Sequence, residues 1–341
     1  MTSRLRLEAE VMSLRTRHPF IIARHGFDEV RSIRVVLRDA DGLEGIGEAT
    51  PQKFYGETPE TALAALDFYA PRLPENIFLL EQAEADLARA MTGNNSVRAA
   101  LSTALHDLVG KRLGVPIYRL WGLDPATAPI STFTIGIDTP EKMRLKVREA
   151  APYPVLKVKL GTADDLAILQ AIREETTKEL RVDANCAWTA VHAVRMLPVL
   201  EEFGVTILEQ PVARADLDGF AQIRRHARIP LIADESCHVA TDIPHLAGRV
   251  DGINIKLAKT GSLREALRMV AVARAHHLMV MLGCMVESSI AITAAAHLAP
   301  LVDLIDLDGA ALLAEDPWVG ATIEEGRLQL PEAPGLGVRP R

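Results

Sequence analysis

The sequence predicts an α/β protein: a (β/α)7β barrel of the TIM type behind a smaller N-terminal α+β domain. Three observations predict it. From about residue 130, eight short apolar runs alternate with longer amphipathic stretches: STFTIGI, YPVLKVKL, LRVDAN, GVTILEQP, IPLIADES, VDGINIKL, LMVMLGC and VDLIDLD. Anchored near their C-terminal ends at Thr134, Lys159, Asp183, Glu209, Asp234, Lys256, Gly283 and Asp306, they are spaced by 25, 24, 26, 25, 22, 27 and 23 residues. A buried strand, a helix and two loops take about that length, so the repeat is a βα unit whose strands are covered on both faces. The last run is followed by little further helix, which ends the barrel on a strand rather than on an eighth repeat.

The elements follow in order. Arg4 to Leu14 alternates polar and apolar residues and reads as a strand. A second alternating run, Arg31 to Leu37, reaches Asp41-Gly42, a hairpin signal, with a return strand at Leu43 to Ala49. Thr58-Pro59-Glu60 supplies an N-cap, a proline at the first helical position and an acid in the first turn, so a helix runs to about Tyr69. A second helix spans Ser96 to Leu113, stopped by Gly114 and Pro116. Within the barrel, Asp164 to Glu175, Ala190 to Phe203, Ser262 to His276 and Ser288 to Leu298 have helical spacing. The domains expected are residues 1–125, the α+β unit; 126–321, the barrel; and 322–341, a tail packing back on the first domain.

Composition narrows the function class. The chain has 341 residues, 48% hydrophobic, enough for a sizeable core. A net charge of −7 argues against nucleic acid or an anionic membrane as partner. No apolar run approaches the length of a membrane span, and the charged N-terminus reads as a strand rather than a signal peptide. Cys186, Cys237 and Cys284 are odd in number and far apart, as expected of reduced thiols in a cytoplasmic protein. A homo-oligomer is compatible with all of this.

The chemistry gathers where strands end, since a barrel interior is filled by packed side chains. Strand two carries Lys157 and Lys159, strand three Asp183, strand four Glu209, strand five Asp234, strand six Lys256, and strand eight Asp306 and Asp308. A lone strand-end charge is usually just solvated. Six strands in phase converge their charges on one mouth, where they would repel or be desolvated without a ligand. Asp183, Glu209 and Asp234 come from consecutive strands, and three hard oxygen ligands with open positions suit Mg²⁺, whereas Zn²⁺ would call for His or Cys. Cys237 and His238 lie just past a strand end and read as packing or loop residues.

Lys157 and Lys159 are two apart on one strand and point the same way. Lys256 stands four strands further round, on the opposite side of the barrel. A substrate between them meets a lysine on each face, which suits removing a proton from one side of a carbon and returning it on the other. To serve as a base near neutral pH, a lysine must have its pKa drawn down from about 10.4 to near 7. Mg²⁺ and a neighbouring ammonium would press in that direction.

These motifs resemble a known family. KVK, VDAN, LEQP, ADES and NIKLAKTG, in this order and at barrel spacing, are similar to the enolase superfamily and, within it, the muconate-lactonising-enzyme subgroup. RHGF, FYGET and the ALHDLVGK helix resemble that group's capping domain, so the likeness covers the whole chain. DLD at Asp306 to Asp308, with MLGCM before it, resembles the dipeptide epimerases, above all those acting on Ala-Glu. The resemblance implies Mg²⁺ on Asp183, Glu209 and Asp234, with Lys157 helping to hold the substrate carboxylate. Lys159 and Lys256 would then alternate as acid and base, a pairing of lysine and Mg²⁺ known for this superfamily.

The DLD pair sharpens the expected substrate. Its i, i+2 spacing points two carboxylates to one side, as a receptor for the ammonium of a small-molecule dipeptide such as L-Ala-D/L-Glu. By the same analogy Thr134 and Cys284 line the dipeptide pocket, and Arg24 pairs with a glutamate side chain. Phe27 stands where some relatives carry a second basic residue, which loosens the preference for Glu, and Tyr55 is a candidate lid residue. Glu287 either orients Lys256 or caps the following helix; His25, His106 and His297 read as structural. N-acylamino-acid racemase, o-succinylbenzoate synthase and cycloisomerase share the lysines and metal acids but offer no ammonium to the DLD pair. A Schiff-base lysine enzyme and a non-catalytic binding barrel remain as rivals from other classes.

Overall fold

The computed structural model describes residues 5–341, so of the first expected strand Arg4 alone lies outside the described residues. The N-terminal unit is an antiparallel sheet of β1 (Arg6–Ile22), β2 (His25–Arg38) and β3 (Glu44–Ala49), in that order. The hairpin between β2 and β3 turns at Gly42, whose φ of +82° suits glycine. The first two strands run further than the sequence suggested. The β1–β2 ladder shifts register between Arg15 and Phe20, around Pro19, and then resumes to Ile22 and His25.

Three helices cover the sheet. Helix α1 (Pro59–Tyr69) starts on the expected Thr58 cap, with Thr58 and Thr61 bonded reciprocally. Helix α2 (Leu80–Ala90) carried no cap signal and was not expected; it buries Ala83, Glu84 and Leu87 on one stripe. Helix α3 (Asn95–Leu113) ends at the expected Gly114, in the left-handed conformation. It is buried nearly all round because it lies between the sheet and the barrel. Its approach to β3 is so close that a Cβ on Gly47 would stand 2.0 Å from Ala100 O, and one on Gly45 2.1 Å from Ala104 O. Only glycine fits there.

The barrel is an eight-stranded parallel sheet of β4 (Phe133–Ile135), β5 (Val155–Lys159), β6 (Glu179–Asp183), β7 (Val205–Glu209), β8 (Leu231–Ala233), β9 (Gly252–Ile255), β10 (Met279–Gly283) and β11 (Leu304–Asp306), in sequence order. A Ser131–Ile305 bridge closes it. The four expected barrel helices are present as Asp165–Glu175, Ala190–Glu202, Leu263–Ala275 and Ser289–Ala296. Two further ones, Pro140–Glu149 and Leu217–Arg224, were missed because each buries too few apolar residues to show a clear stripe. Pairing fixes the height of the functional residues: Lys159 lies opposite Asp183 and Asp183 opposite Glu209, while Lys157, one layer lower, lies opposite Thr134. Among the described residues no helix is long and apolar enough to cross a membrane, and all three cysteines are free.

Buried carboxylates join the two units. Asp107 on α3 accepts from Ile46 N at 2.9 Å and from Leu336 N at 2.6 Å, tying the sheet and the C-terminal segment to one helix. Glu48 on β3 accepts from Ser288 N at 3.2 Å, Ser288 Oγ at 2.5 Å and Ala291 N at 3.3 Å, so a side chain from the first unit caps a barrel helix. Removing it orphans buried donors. Glu48→Ala is therefore expected to cost about 2–3 kcal/mol of stability, while Glu48→Gln, which keeps an acceptor, should cost visibly less. Urea unfolding of the three proteins checks this; equal midpoints for the Ala and wild-type proteins would show that the cap contributes nothing.

Candidate active site

Strand register brings the expected acids together. Oxygens of Asp183, Glu209 and Asp234 lie within 4.8 Å of one another, and all three side chains are buried. The lysines surround them. Lys159 Nζ is 2.6 Å from Asp183 Oδ2, Lys256 Nζ is 2.8 Å from Asp234 Oδ2, and Lys157 Nζ is 2.7 Å from both Glu209 Oε2 and Asp306 Oδ2. Burial works against the Lys157 charge, yet the carboxylates of Asp306, Glu209 and Asp183 hold its pKa well above the ordinary lysine value. Lys256 is likewise buried and held well above it by Asp234. This is the reverse of the depression expected for a base. Apart from Asp306, the carboxylates that keep these ammonium groups charged are the same three that a divalent cation would draw on.

The donor set fits Mg²⁺: three hard oxygens within reach of one another, with no nitrogen or sulfur. Asp234 Oδ2 lies beside Lys256 but outside hydrogen-bond geometry, which leaves it a lone pair for a cation.

A layer of polar groups aims the acids. Asn185 N donates to Asp183 Oδ1 at 2.8 Å, and Asn254 Nδ2 to Glu209 Oε1 at 2.9 Å. Lys259, fully buried, donates to Asp234 Oδ1 and also to the carbonyls of Asp234, Cys237 and Asn254. Gln210 Oε1 accepts from Asp234 N and Ser236 N, fixing the turn after β8. Asn185, Cys186 and Gln210 have φ of +45°, +68° and +36°, a strained setting for side chains that the surrounding bonds must enforce. Such support is what holds metal-directed carboxylates in place.

One cavity connects these parts. Its walls include Lys159, Lys256, Asp306, Asp308, Thr134, Cys284 and Arg24, so these expected residues face one space, while Lys157 and the three acids are not among its lining residues. Asp306 and Asp308 are not an equivalent pair. Asp306 Oδ2 is taken by Lys157, and its Oδ1 accepts from the Thr132 hydroxyl; burial opposes its charge, but Lys157 and Lys159 hold its pKa well below the carboxylate range. Asp308 Oδ2 accepts from Thr134 N at 2.5 Å, and burial together with the Asp306 charge pushes its carboxyl up to about 7. Cys284 Sγ donates to Asp306 O at 3.2 Å.

The first unit closes the cavity with two segments. In one, Arg24 Nη1 donates at 2.6 Å both to Glu235 Oε1 and to Asn185 O, and its guanidinium lies 4.0 Å from the centre of the Phe54 ring. Arg24 is thus already tied to a barrel acid, while its buried Nε has no hydrogen-bond partner. In the other segment Tyr55 stands edge-on to His238, their ring centres 5.1 Å apart. That segment is anchored by Glu57, which accepts from Asn95 N and the Ser96 hydroxyl at the start of α3. Of the histidines read as structural, His106 and His297 are fully buried, whereas His25 lines the cavity and stacks on Phe27. The helix cap considered for Glu287 falls to Ser288 and Glu48; Glu287 instead accepts from Met285 N at 3.4 Å.

Residues 6–122 match the family described as "Mandelate racemase / muconate lactonizing enzyme, N-terminal domain", and residues 141–341 match "Enolase C-terminal domain-like". The chain belongs to the mandelate racemase / muconate lactonizing enzyme family. It is 38% identical over 327 residues to an "L-Ala-D/L-Glu epimerase" of Bacteroides thetaiotaomicron, covering 95% of this chain and 85% of that one. To an "L-Ala-D/L-amino acid epimerase" of Maribacter sp. it is 37% identical, covering 98% and 99%. A crystal structure of a dipeptide epimerase from Enterococcus faecalis V583, complexed with Mg and L-Leu-L-Tyr, superposes with a TM-score of 0.92 at 34% identity, covering 98% and 99%. Among these relatives of the mandelate racemase / muconate lactonizing enzyme family, the chain is an isomerase of the epimerase type.

For a member of this family the sequence reading missed Glu235, Asn254, Lys259 and Gln210. All four lie inside the quoted ADES, NIKLAKTG and LEQP motifs, next to the residues that were singled out. The available signal was an excess of polar residues at strand ends, beyond what a three-acid site needs.

Proposed function

We propose that the protein is a Mg²⁺-dependent dipeptide epimerase that inverts the α-carbon of the C-terminal residue of L-Ala-X dipeptides, L-Ala-D/L-Glu first among them. One observation carries the reading: Lys159 and Lys256 arise on strands four apart and line one cavity that also holds Asp306 and Asp308. Asp183, Glu209 and Asp234 would hold Mg²⁺, whose positive charge would stabilise the substrate carboxylate as the α-proton leaves. Lys157 adds an ammonium on that side. Lys159 and Lys256 do the proton work: one takes the α-proton from its face, the other delivers a proton to the opposite face, and the reverse reaction exchanges their roles. Asp308 receives the dipeptide ammonium, and Asp306, already paired with Lys157, sets the distance between the ammonium end and the reacting carbon. Arg24, on the cavity wall, meets a glutamate side chain, and Phe20, Phe27 and Ile22 widen the preference toward apolar ones.

The proposed role is turnover of murein-derived peptides in the cytoplasm, by analogy with relatives named for L-Ala-D/L-Glu. The deciding experiment incubates L-Ala-X dipeptides with the protein and Mg²⁺ in D₂O and follows α-deuterium uptake at the C-terminal residue. Exchange with N-succinyl amino acids and none with dipeptides would move the protein to the racemase reading. Within the dipeptide reading, Asp308→Asn is expected to raise KM by about tenfold or more, the loss of a charge-assisted contact, with Mg²⁺ affinity little changed. Parallel loss of Mg²⁺ affinity would remove Asp308 from ammonium binding.

A further inference from the structure

The cavity at the barrel mouth has a neighbour. Phe20, Thr134 and Leu312 line both, and beyond this partition a second cavity of about 210 Å³ opens on the outer side of β4. Side chains alternate along that strand, so Thr134 faces the barrel mouth while Phe133 and Ile135 face the second cavity. Its floor is aromatic: the Phe133 ring stacks on Tyr153, centres 4.5 Å apart at 28°. Two of the cations on its rim are matched, and a third, Arg17, stands there exposed. His18 Nε2 is 2.7 Å from Glu149, and Lys146 Nζ is 3.1 Å from Asp138 and 3.2 Å from Gly136 O. Inside that rim Phe20, Phe133, Ile135, Tyr153 and Leu312 offer a guest mainly apolar surface.

The roof is built by both units. Where the β1–β2 ladder breaks between Arg15 and Phe20, the chain pairs instead with the loop after β11: Arg17 N donates to Leu312 O at 2.9 Å and Ala314 N to Arg15 O at 2.8 Å. The partition residue Phe20 therefore sits where regular sheet pairing has just resumed, and Leu312 sits in a loop; both are only partly buried.

We propose that this second cavity is the subsite for the side chain of the substrate's N-terminal residue, and that it takes aromatic or long aliphatic side chains. The proposal rests on the dipeptide reading. With the ammonium on Asp308, whose Oδ2 accepts from Thr134 N, the carbon bearing that ammonium comes to rest beside Thr134, at the partition. The direction toward the lysines is filled by the rest of the dipeptide. The methyl of alanine needs no more room than the mouth provides, and a larger side chain passes between Phe20 and Leu312 onto the Phe133–Tyr153 floor. Desolvating such a side chain in a fitted pocket is worth about ten- to hundredfold in kcat/KM.

The test compares L-Ala-L-Ala, L-Leu-L-Ala and L-Phe-L-Ala with the wild-type protein, Tyr153→Trp, which fills the cavity, and Tyr153→Ala, which enlarges it. The wild type is expected to use L-Phe-L-Ala at least a tenth as well as L-Ala-L-Ala. In Tyr153→Trp the ratio of the two kcat/KM values should fall tenfold or more, and in Tyr153→Ala it should not fall. A wild type that turns over L-Ala-L-Ala but neither turns over nor is inhibited by L-Phe-L-Ala overturns the subsite, as does a ratio that Tyr153→Trp leaves unchanged. Should the Trp variant not fold, the wild-type rates alone decide. Failure of all three dipeptides alongside exchange of N-succinyl amino acids would instead sink the dipeptide reading, and the subsite with it.

Discussion

Alanine at position 256 is expected to stop epimerisation of L-Ala-X while sparing half of the isotope chemistry. With Lys256 gone, Lys159 still reaches its own face of the α-carbon. One epimer should therefore keep exchanging its α-proton with D₂O, without inversion. The other epimer should lose exchange by about 10²–10⁴-fold, the usual contribution of a positioned base. Lys159→Ala should give the mirror-image result. Proton NMR of each pure epimer with each variant reads this directly. If both variants lose exchange on the same epimer, the two lysines do not serve opposite faces. If neither loses any, proton transfer belongs to another group. Each variant also takes one of two ammonium partners from a carboxylate: Asp183 keeps Lys157, and Asp234 keeps Lys259. Lysine-to-methionine variants, which keep the bulk of the stem, separate lost chemistry from lost packing.

The second large effect concerns the metal. Chelation is expected to reduce turnover to background, with recovery on adding Mg²⁺. The same ion should stabilise the folded protein: at a hundredfold excess over Kd, binding contributes about 2.7 kcal/mol, readable as a rise in Tm. Asp234→Ala is a poor probe, because it would leave Lys256 and the fully buried Lys259 uncompensated, a loss of about 3–5 kcal/mol. Asp234→Asn and Glu209→Gln keep the shape, and both should abolish the Mg²⁺-dependent rise in Tm along with the activity. A variant that retains the rise but not the activity would place that residue outside the metal's coordination. Activity untouched by exhaustive chelation would end the metal-dependent reading altogether.

Much of this site was legible because a barrel converts sequence spacing into position. Once the runs ending at Lys159, Asp183, Glu209, Asp234 and Lys256 read as strands, their last residues had to stand around one rim, and register put three of them at one height. Lys157 followed from the two-residue period of the strand. The contacts that aim these residues were not legible in the same way. Whether Asn254 reaches Glu209, or Lys259 reaches Asp234, depends on side-chain paths across the interior that no periodicity encodes. Arg24 is the instructive case. Its expected partner was a ligand carboxylate, but the fold supplies Glu235 first, from a strand more than two hundred residues away. Asp306 and Asp308 were expected to act alike, and their inequality arises because only one lies within reach of Lys157. In the first unit, the missed α2 shows the limit for helices that start without a capping side chain.

The tight seam between α3 and β3 has a consequence for how such a protein can change. With Gly45 and Gly47 letting the helix backbone rest on the strand, and with Asp107 and Glu48 bridging to the tail and the barrel, the frame around the mouth is welded at several points. The two segments that touch the guest, around Arg24 and Tyr55, hang from that frame and carry little of its weight. They can be exchanged like the wards of a lock while the bolt stays where it is. A protein built this way can acquire a new clientele by editing those two segments, and its reaction never has to be reinvented.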